Sequence, residues 1–139
     1  DGLLAPGAAP AVRLEDALAG REFVLLYVSA HWCGPCRQFT PRLAEFYRAA
    51  KGAGHVSLEV VFVSADHDAA GFEAYRRSMP WLSIPYDEDS RENIMGLLKV
   101  RGIPMLTLID GRNGRILDNN IVGKPLDITL WRSLAAKSG

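Results

Sequence analysis

Residues 23–30, FVLLYVSA, form a nearly unbroken apolar run rich in β-branched and aromatic side chains. Such a run predicts a strand buried on both faces, because a half-exposed strand would alternate apolar with polar positions. Directly behind it, Phe39, Leu43, Phe46, Tyr47 and Ala50 recur at helical spacing, and Gly52 and Gly54 close the segment. VSLEVVFVSAD at residues 56–66 repeats the buried-strand pattern. Strand, helix and strand in this order predict two parallel strands joined by a right-handed crossover.

Further along, AAGFEAYRRSM (69–79) reads as a helix stopped by Pro80. After the apolar and aromatic PWLSIPY come acidic residues and then SRENIMGLLKV (90–100), where Ser90 is placed as a cap and Ile94, Leu97 and Leu98 as one buried face. PMLTLID (104–110) predicts a strand, GRNG (111–114) a turn, and RILDNNIV (115–122) the returning partner of a hairpin. DITLWRSLAAK closes the chain as a helix, with Asp127 capping it and Ile128, Trp131, Leu134 and Ala135 turned inward. The order βαβ, helices, ββα is an α/β architecture: a central mixed β-sheet flanked by helices. The Ala, Pro and Gly-rich opening reads as a loose tail over residues 1–11, with residues 12–139 as a single domain.

The chain has 139 residues, 48% hydrophobic and 23% charged, the profile of an ordinary soluble domain. That length buries a core without help from disulfides or metal, which leaves the cysteines free for chemistry. Sixteen basic residues balance sixteen acidic ones, so the excess of Lys and Arg that nucleic acid binding requires is missing. No apolar run approaches the roughly 20 residues of a membrane helix. The opening residues show neither the basic front nor the apolar centre of a secretory signal. A monomer in contact with neither nucleic acid nor membrane is expected.

The only two cysteines, Cys33 and Cys36, stand in HWCGPC at the junction of the first strand with its helix. Near a helix start, unpaired N–H groups and the positive end of the macrodipole favour a thiolate, the attacking form of cysteine. Cys33 is therefore expected to be the acidic nucleophile and Cys36, one turn inside, the sheltered partner. Pro35 suits a helix start and Gly34 permits close approach of another chain. A structural disulfide this short would stabilise little. A zinc half-site needs two more ligands, and His31, His55 and His67 follow no ligand pattern; a metal or cluster shared between two chains is set behind the redox reading. No metal and no bound cofactor are called for.

Smaller signals surround the pair. Trp32 either shelters Cys33 or belongs to the core; the two readings weigh equally. His31 is read as an exposed loop histidine rather than a partner of the Cys33 thiolate. Trp81 and Tyr86, with Pro80 and Pro85, are read as loop packing rather than a partner groove. Pro104, after Ile103, opens a strand at a point where a missing N–H is tolerated.

WCGPC behind a buried strand, a helix with internal Pro41, and a later IP opening a hairpin resemble the thioredoxin fold, over nearly the whole chain from about Val12 to Ala136. FVSAD at 62–66, MPWLSIPY at 79–86, YVSAHWC and RQFTPRLAEFY resemble the tryparedoxin and nucleoredoxin branch. The resemblance implies a thiol-disulfide oxidoreductase in which Cys33 attacks a partner disulfide and Cys36 resolves the mixed disulfide. It further implies that Trp32, Gly34, Pro35, Ile103 and Pro104 border the bound partner, with a cis bond between Ile103 and Pro104. Disulfide-containing proteins, peroxiredoxin-type peroxidases among them, are the implied clients; a low-molecular-weight dithiol or a flavoprotein reductase is the implied electron donor. The other class it implies is a redox-gated binding module of nucleoredoxin type with little turnover. Gly34 departs from the WCPPC usual in that branch, and Tyr27 stands where ordinary thioredoxins carry a buried acid. The Cys36 proton must then leave to water, to the Tyr27 hydroxyl or to a carboxylate elsewhere. Arg101, just before the IP step, disfavours a polycationic thiol. The expected compartment is the cytoplasm, because the chain carries a redox pair and no disulfide framework.

Overall fold

A computed structural model describes residues 2–6, 12–53, 57–86 and 88–138. Its centre is a five-stranded sheet built from β3 (Phe23–Ser29), β4 (Leu58–Ser64), β5 (Leu82–Ser83), β6 (Met105–Asp110) and β7 (Ile116–Asp118), in the spatial order β5-β4-β3-β6-β7. β4 runs parallel to β3 and to β5, while β6 is antiparallel to both β3 and β7. Tyr27 sits opposite Phe62 on one side and Leu106 on the other, which places β3 in the middle of the sheet. This is the mixed α/β sheet that the apolar runs predict.

Both central strands are apolar at successive positions because both faces of the sheet are covered. Leu25, Tyr27, Val60, Phe62, Leu106 and Leu108 project to one face, where α2 (Gly34–Ala53), α3 (Ala69–Arg76) and α5 (Ile128–Ser138) bring Leu43, Phe72 and Trp131. Val28, Val61, Val63 and Met105 project to the other, under α1 (Leu14–Leu18) and α4 (Glu88–Leu98), which bring Ala17 and Leu98. Trp81 and Trp131 are each about 1% exposed. Burying each contributes on the order of 2–3 kcal/mol of hydrophobic stabilisation. Trp81 stands edge-on to Tyr27 and Tyr47, with ring centroids 5.9 and 5.6 Å away. Trp81 is thus core packing, as is Tyr86, whose hydroxyl donates to the Asp66 carbonyl at 2.7 Å.

Several expectations need correction. Gly2–Leu3 pairs with Val12–Arg13 as a small antiparallel ladder, β1 with β2, and Leu4 exchanges backbone hydrogen bonds of 2.8 and 2.9 Å with Ser83. Residues 2–6 are therefore bonded to the sheet edge rather than loose, and Leu3 is buried because it covers that edge; residues 7–11 of the expected tail lie outside the described residues. Ser90 falls inside α4, which begins at Glu88. Leu97 is 78% exposed, since the packed stripe of α4 is Ile94, Met95 and Leu98. The returning hairpin strand shrinks to Ile116–Asp118, while α1 and β5 are additional elements too short to leave a periodic trace. Gly54, His55 and Val56 lie outside the described residues. Among the described residues, no helix is long and apolar enough to cross a membrane.

Candidate functional site: a dithiol at a strand-to-helix junction

β3 ends at Ser29, and the chain turns through Ala30 to Cys33 before α2 begins at Gly34. The Cys33 carbonyl accepts the first helical bond, from Arg37 N–H at 3.1 Å, so Cys33 occupies the N-cap position. Its sulfur accepts the Cys36 amide at 3.3 Å, where an oxygen would sit in an ordinary cap. An amide aimed at the sulfur is the donor an anion there would take. Both thiols are free. Cys33 is 7% exposed and Cys36 fully buried, so even the shallower sulfur lies just under the surface and the asymmetry is one of depth. Opposite stands the loop before β6: the Ile103–Pro104 bond is cis, and the Cys33 thiol reaches the Ile103 carbonyl at 3.9 Å. Ala30, Ala65 and Ile103 close apolar surface around the two sulfurs.

Of the residues expected at the site, Cys33, Cys36 and Ile103 come together, with Pro104 joined to Ile103 through the cis bond. Gly34 and Pro35 cover the outer turn, and nothing lies within 4 Å of where a Gly34 Cβ would point. Trp32 is not a core residue: it is 46% exposed, stacks on His67 at 4.8 Å between centroids, and donates its indole N–H to the Ala65 carbonyl at 3.2 Å.

His31 is exposed in its loop, as expected, but it is not without a partner. Its Nδ1 lies 2.6 Å from Asp66 Oδ1, which also accepts the His31 backbone N–H at 2.8 Å. Asp66 is 3% exposed, and its other oxygen accepts the Ser64 hydroxyl at 2.6 Å. A Cβ on Gly71 would come within 2.6 Å of the His31 ring, so the small residue on α3 is what lets that ring lie down. FVSAD drew notice as a motif, but a contact across 35 residues leaves no local signal.

Beneath Cys36 runs a buried chain of hydroxyls, the feature sequence reading missed most completely. Tyr27 and Thr40 lie 2.7 Å apart, Thr40 and Tyr75 2.7 Å, and Tyr75 and Ser29 2.8 Å. Ser29 and the backbone at Ala30 lie near enough to the Cys36 thiol to favour its ionised form against burial. The Tyr27 hydroxyl instead donates to the Cys36 carbonyl at 3.3 Å, so Tyr27 is not the direct neighbour of the thiol. Burial, reinforced by the adjacent Cys33, pushes the Cys36 thiol up to about 11. Burial likewise raises Tyr27 and Tyr75, which keeps both phenols protonated as donors. Among the described residues no group of three or more His, Cys, Asp and Glu side chains is placed to hold a metal ion.

A Cys-x-x-Cys pair capping a helix, behind the central strand of a mixed sheet and facing a cis-proline loop, defines a thioredoxin-fold redox protein. The chain belongs to the thioredoxin-like family, whose model matches residues 20–116. It is 45% identical over 109 residues to probable nucleoredoxin 1 of Arabidopsis thaliana, covering 78% of this chain and 18% of that protein. It is 43% identical over 102 residues to the tryparedoxin of Trypanosoma brucei brucei, covering 73% of this chain and 69% of that one. A solved structure of tryparedoxin II complexed with glutathionylspermidine superposes with a TM-score of 0.77 at 36% identity, over 87% of this chain and 81% of that one. The chain spans about a fifth of the length of the curated nucleoredoxins it matches.

Proposed function

We propose that the protein reduces protein disulfides through its dithiol. Cys33 as thiolate attacks one sulfur of a partner disulfide, forming a mixed disulfide with it and releasing the other sulfur, which takes up a proton as a thiol. Cys36 then gives up its proton and displaces the partner sulfur held in the mixed disulfide, leaving a Cys33–Cys36 disulfide; two electrons pass to the partner. A low-molecular-weight dithiol or a flavoprotein reductase returns them. The observation that carries the reading is the unequal setting of the sulfurs: one caps a helix under the surface beside Ile103 and Pro104, the other is sealed behind it with its thiol raised to about 11. Trp32, Gly34, Pro35, Ile103 and Pro104 form the rim on which an extended partner segment lies. Clients are disulfide-bearing proteins, peroxiredoxin-type peroxidases among them, in a reducing compartment such as the cytoplasm.

The test is trapping. Cys36→Ser is expected to accumulate mixed disulfides with clients, visible by mass spectrometry without reductant, and Cys33→Ser is not. Equal trapping by both variants refutes the division of labour. Insulin reduction far slower than thiol chemistry allows, alongside partner binding that changes with redox state, marks a redox-gated binding module instead.

A further inference from the structure

Two open grooves carry no acid in their linings, and one of them shares Ile103 with the sulfur cluster. The first is a cleft of about 450 Å3 with Lys99, Arg101, Ile103, Pro104, Asn119 and Asn120 in its walls. It shares Ile103 and Pro104 with the redox site, and the Ile103 carbonyl is the one that faces Cys33. The second, about 520 Å3, runs along α2 and carries His31, Arg37 and Arg48. In a chain with sixteen basic and sixteen acidic residues, the groove that shares Ile103 with the sulfur cluster thus carries Lys99 and Arg101 and no carboxylate. Low-dielectric walls focus such a field on whatever enters.

Within the first cleft, Lys99 and Arg101 are exposed and neither meets an acid among the described residues. Asp118, next to the two asparagines, is taken up by Lys124 at 2.7 Å. Lys99 also stands in a backbone conformation that a lysine does not favour. At the end of α4 its N–H bonds to the Gly96 carbonyl and that of Val100 to the Met95 carbonyl, a closing turn whose corner residue is left-handed, here with φ of 56°. Glycine adopts that corner without cost, whereas an L side chain there costs about 1 kcal/mol. A cation kept where glycine would be cheaper, on the wall of a cleft beside the nucleophile, points to use of its charge.

We propose that the Lys99–Arg101 cleft binds the carboxylates of a small thiol or disulfide of the glutathione class, selecting anionic partners for exchange at Cys33 and turning away polyamine-bearing ones. This rests on the reading of Cys33 and Cys36 as an exchanging dithiol and names the substrate class it takes. The carboxylates seat on Lys99 and Arg101 while the disulfide lies over Ile103 and Pro104 toward Cys33.

The experiment compares oxidation of the reduced protein by oxidised glutathione, by the same disulfide with its carboxylates esterified, and by neutral hydroxyethyl disulfide. The free acid is expected to react faster than its ester, with the difference shrinking as salt is added. In Lys99→Gly with Arg101→Gln the acid-to-ester ratio is expected to fall about tenfold, the combined effect of two exposed charges, and Lys99→Gly alone is expected not to lower the melting temperature. Equal rates for acid and ester overturn the proposal, as does a preference that survives in the double variant. No oxidation by hydroxyethyl disulfide either overturns the underlying redox reading instead.

Discussion

Under the proposed exchange, Ser29→Ala tests how Cys36 would become a nucleophile without a buried acid beside it. With its thiol raised to about 11, Cys36 is ionised in only about one molecule in ten thousand at neutral pH. Within a mixed disulfide Cys33 carries no charge and its opposition disappears, but burial, the largest cause, remains. The ionising sulfur then depends on the groups that oppose burial, the Ser29 hydroxyl and the backbone at Ala30. Ser29 in turn bonds to Tyr75 at 2.8 Å and, through it, to Thr40 and Tyr27, so a polarised chain backs the donor. A hydrogen bond to a charged group contributes about 1.5–3 kcal/mol, so its loss moves the ionisation upward by roughly 1–2 pH units.

The assay loads Cys33 with thionitrobenzoate and follows the colour released when Cys36 displaces it. In Ser29→Ala this step is expected to slow by about 10- to 100-fold at neutral pH, and both proteins should gain about tenfold per pH unit below the ionisation. Tyr75→Phe, which keeps the ring and removes only the second hydroxyl, is expected to show a smaller loss in the same direction. The first step, attack by Cys33 measured in a Cys36→Ser background, is the control. A Ser29→Ala protein that resolves as fast as the parent, or that loses as much in the first step as in the second, would show that the hydroxyl chain does not assist Cys36.

Two further outcomes bear on the scaffold. A Cβ on Gly111 would lie 2.1 Å from the Arg21 carbonyl oxygen, against backbone that cannot step aside, so Gly111→Ala is expected to lower stability by about 2–4 kcal/mol in urea unfolding, and an unchanged midpoint would mean that turn is slack. Asp110 is 1% exposed and bonded to the Arg112 guanidinium at 2.9 and 3.0 Å, which holds its carboxyl below the usual range; that stabilisation is complete above about pH 4 and is lost as pH falls through the lowered value, so Asp110→Asn should flatten the acid side of the stability profile, and an unaltered profile counts against the pairing.

What could be read in advance was what local pattern encodes. FVLLYVSA and the run from Leu58 to Ser64 announced themselves as central strands because burial on two faces favours apolar side chains at nearly every position. Cys33 and Cys36 announced themselves because two sulfurs, a glycine and a proline at a helix start have few other uses. Elements of two residues such as Leu82–Ser83 have no period to detect, and Leu3 is buried only because the sheet edge at Ser83 is there to receive it.

The amino-acid order alone therefore marked the buried strands and the Cys-x-x-Cys pair, since each signal rests on neighbours a few positions away. Folding decided what surrounds the sulfurs. Asp66 reaches His31 across 35 residues, Tyr75 reaches Ser29 across 46, and Ile103 comes to Cys33 across 70. Such distances have no signature in any window of sequence, because the hydrogen bonds form only once the sheet has brought its strand ends to one edge.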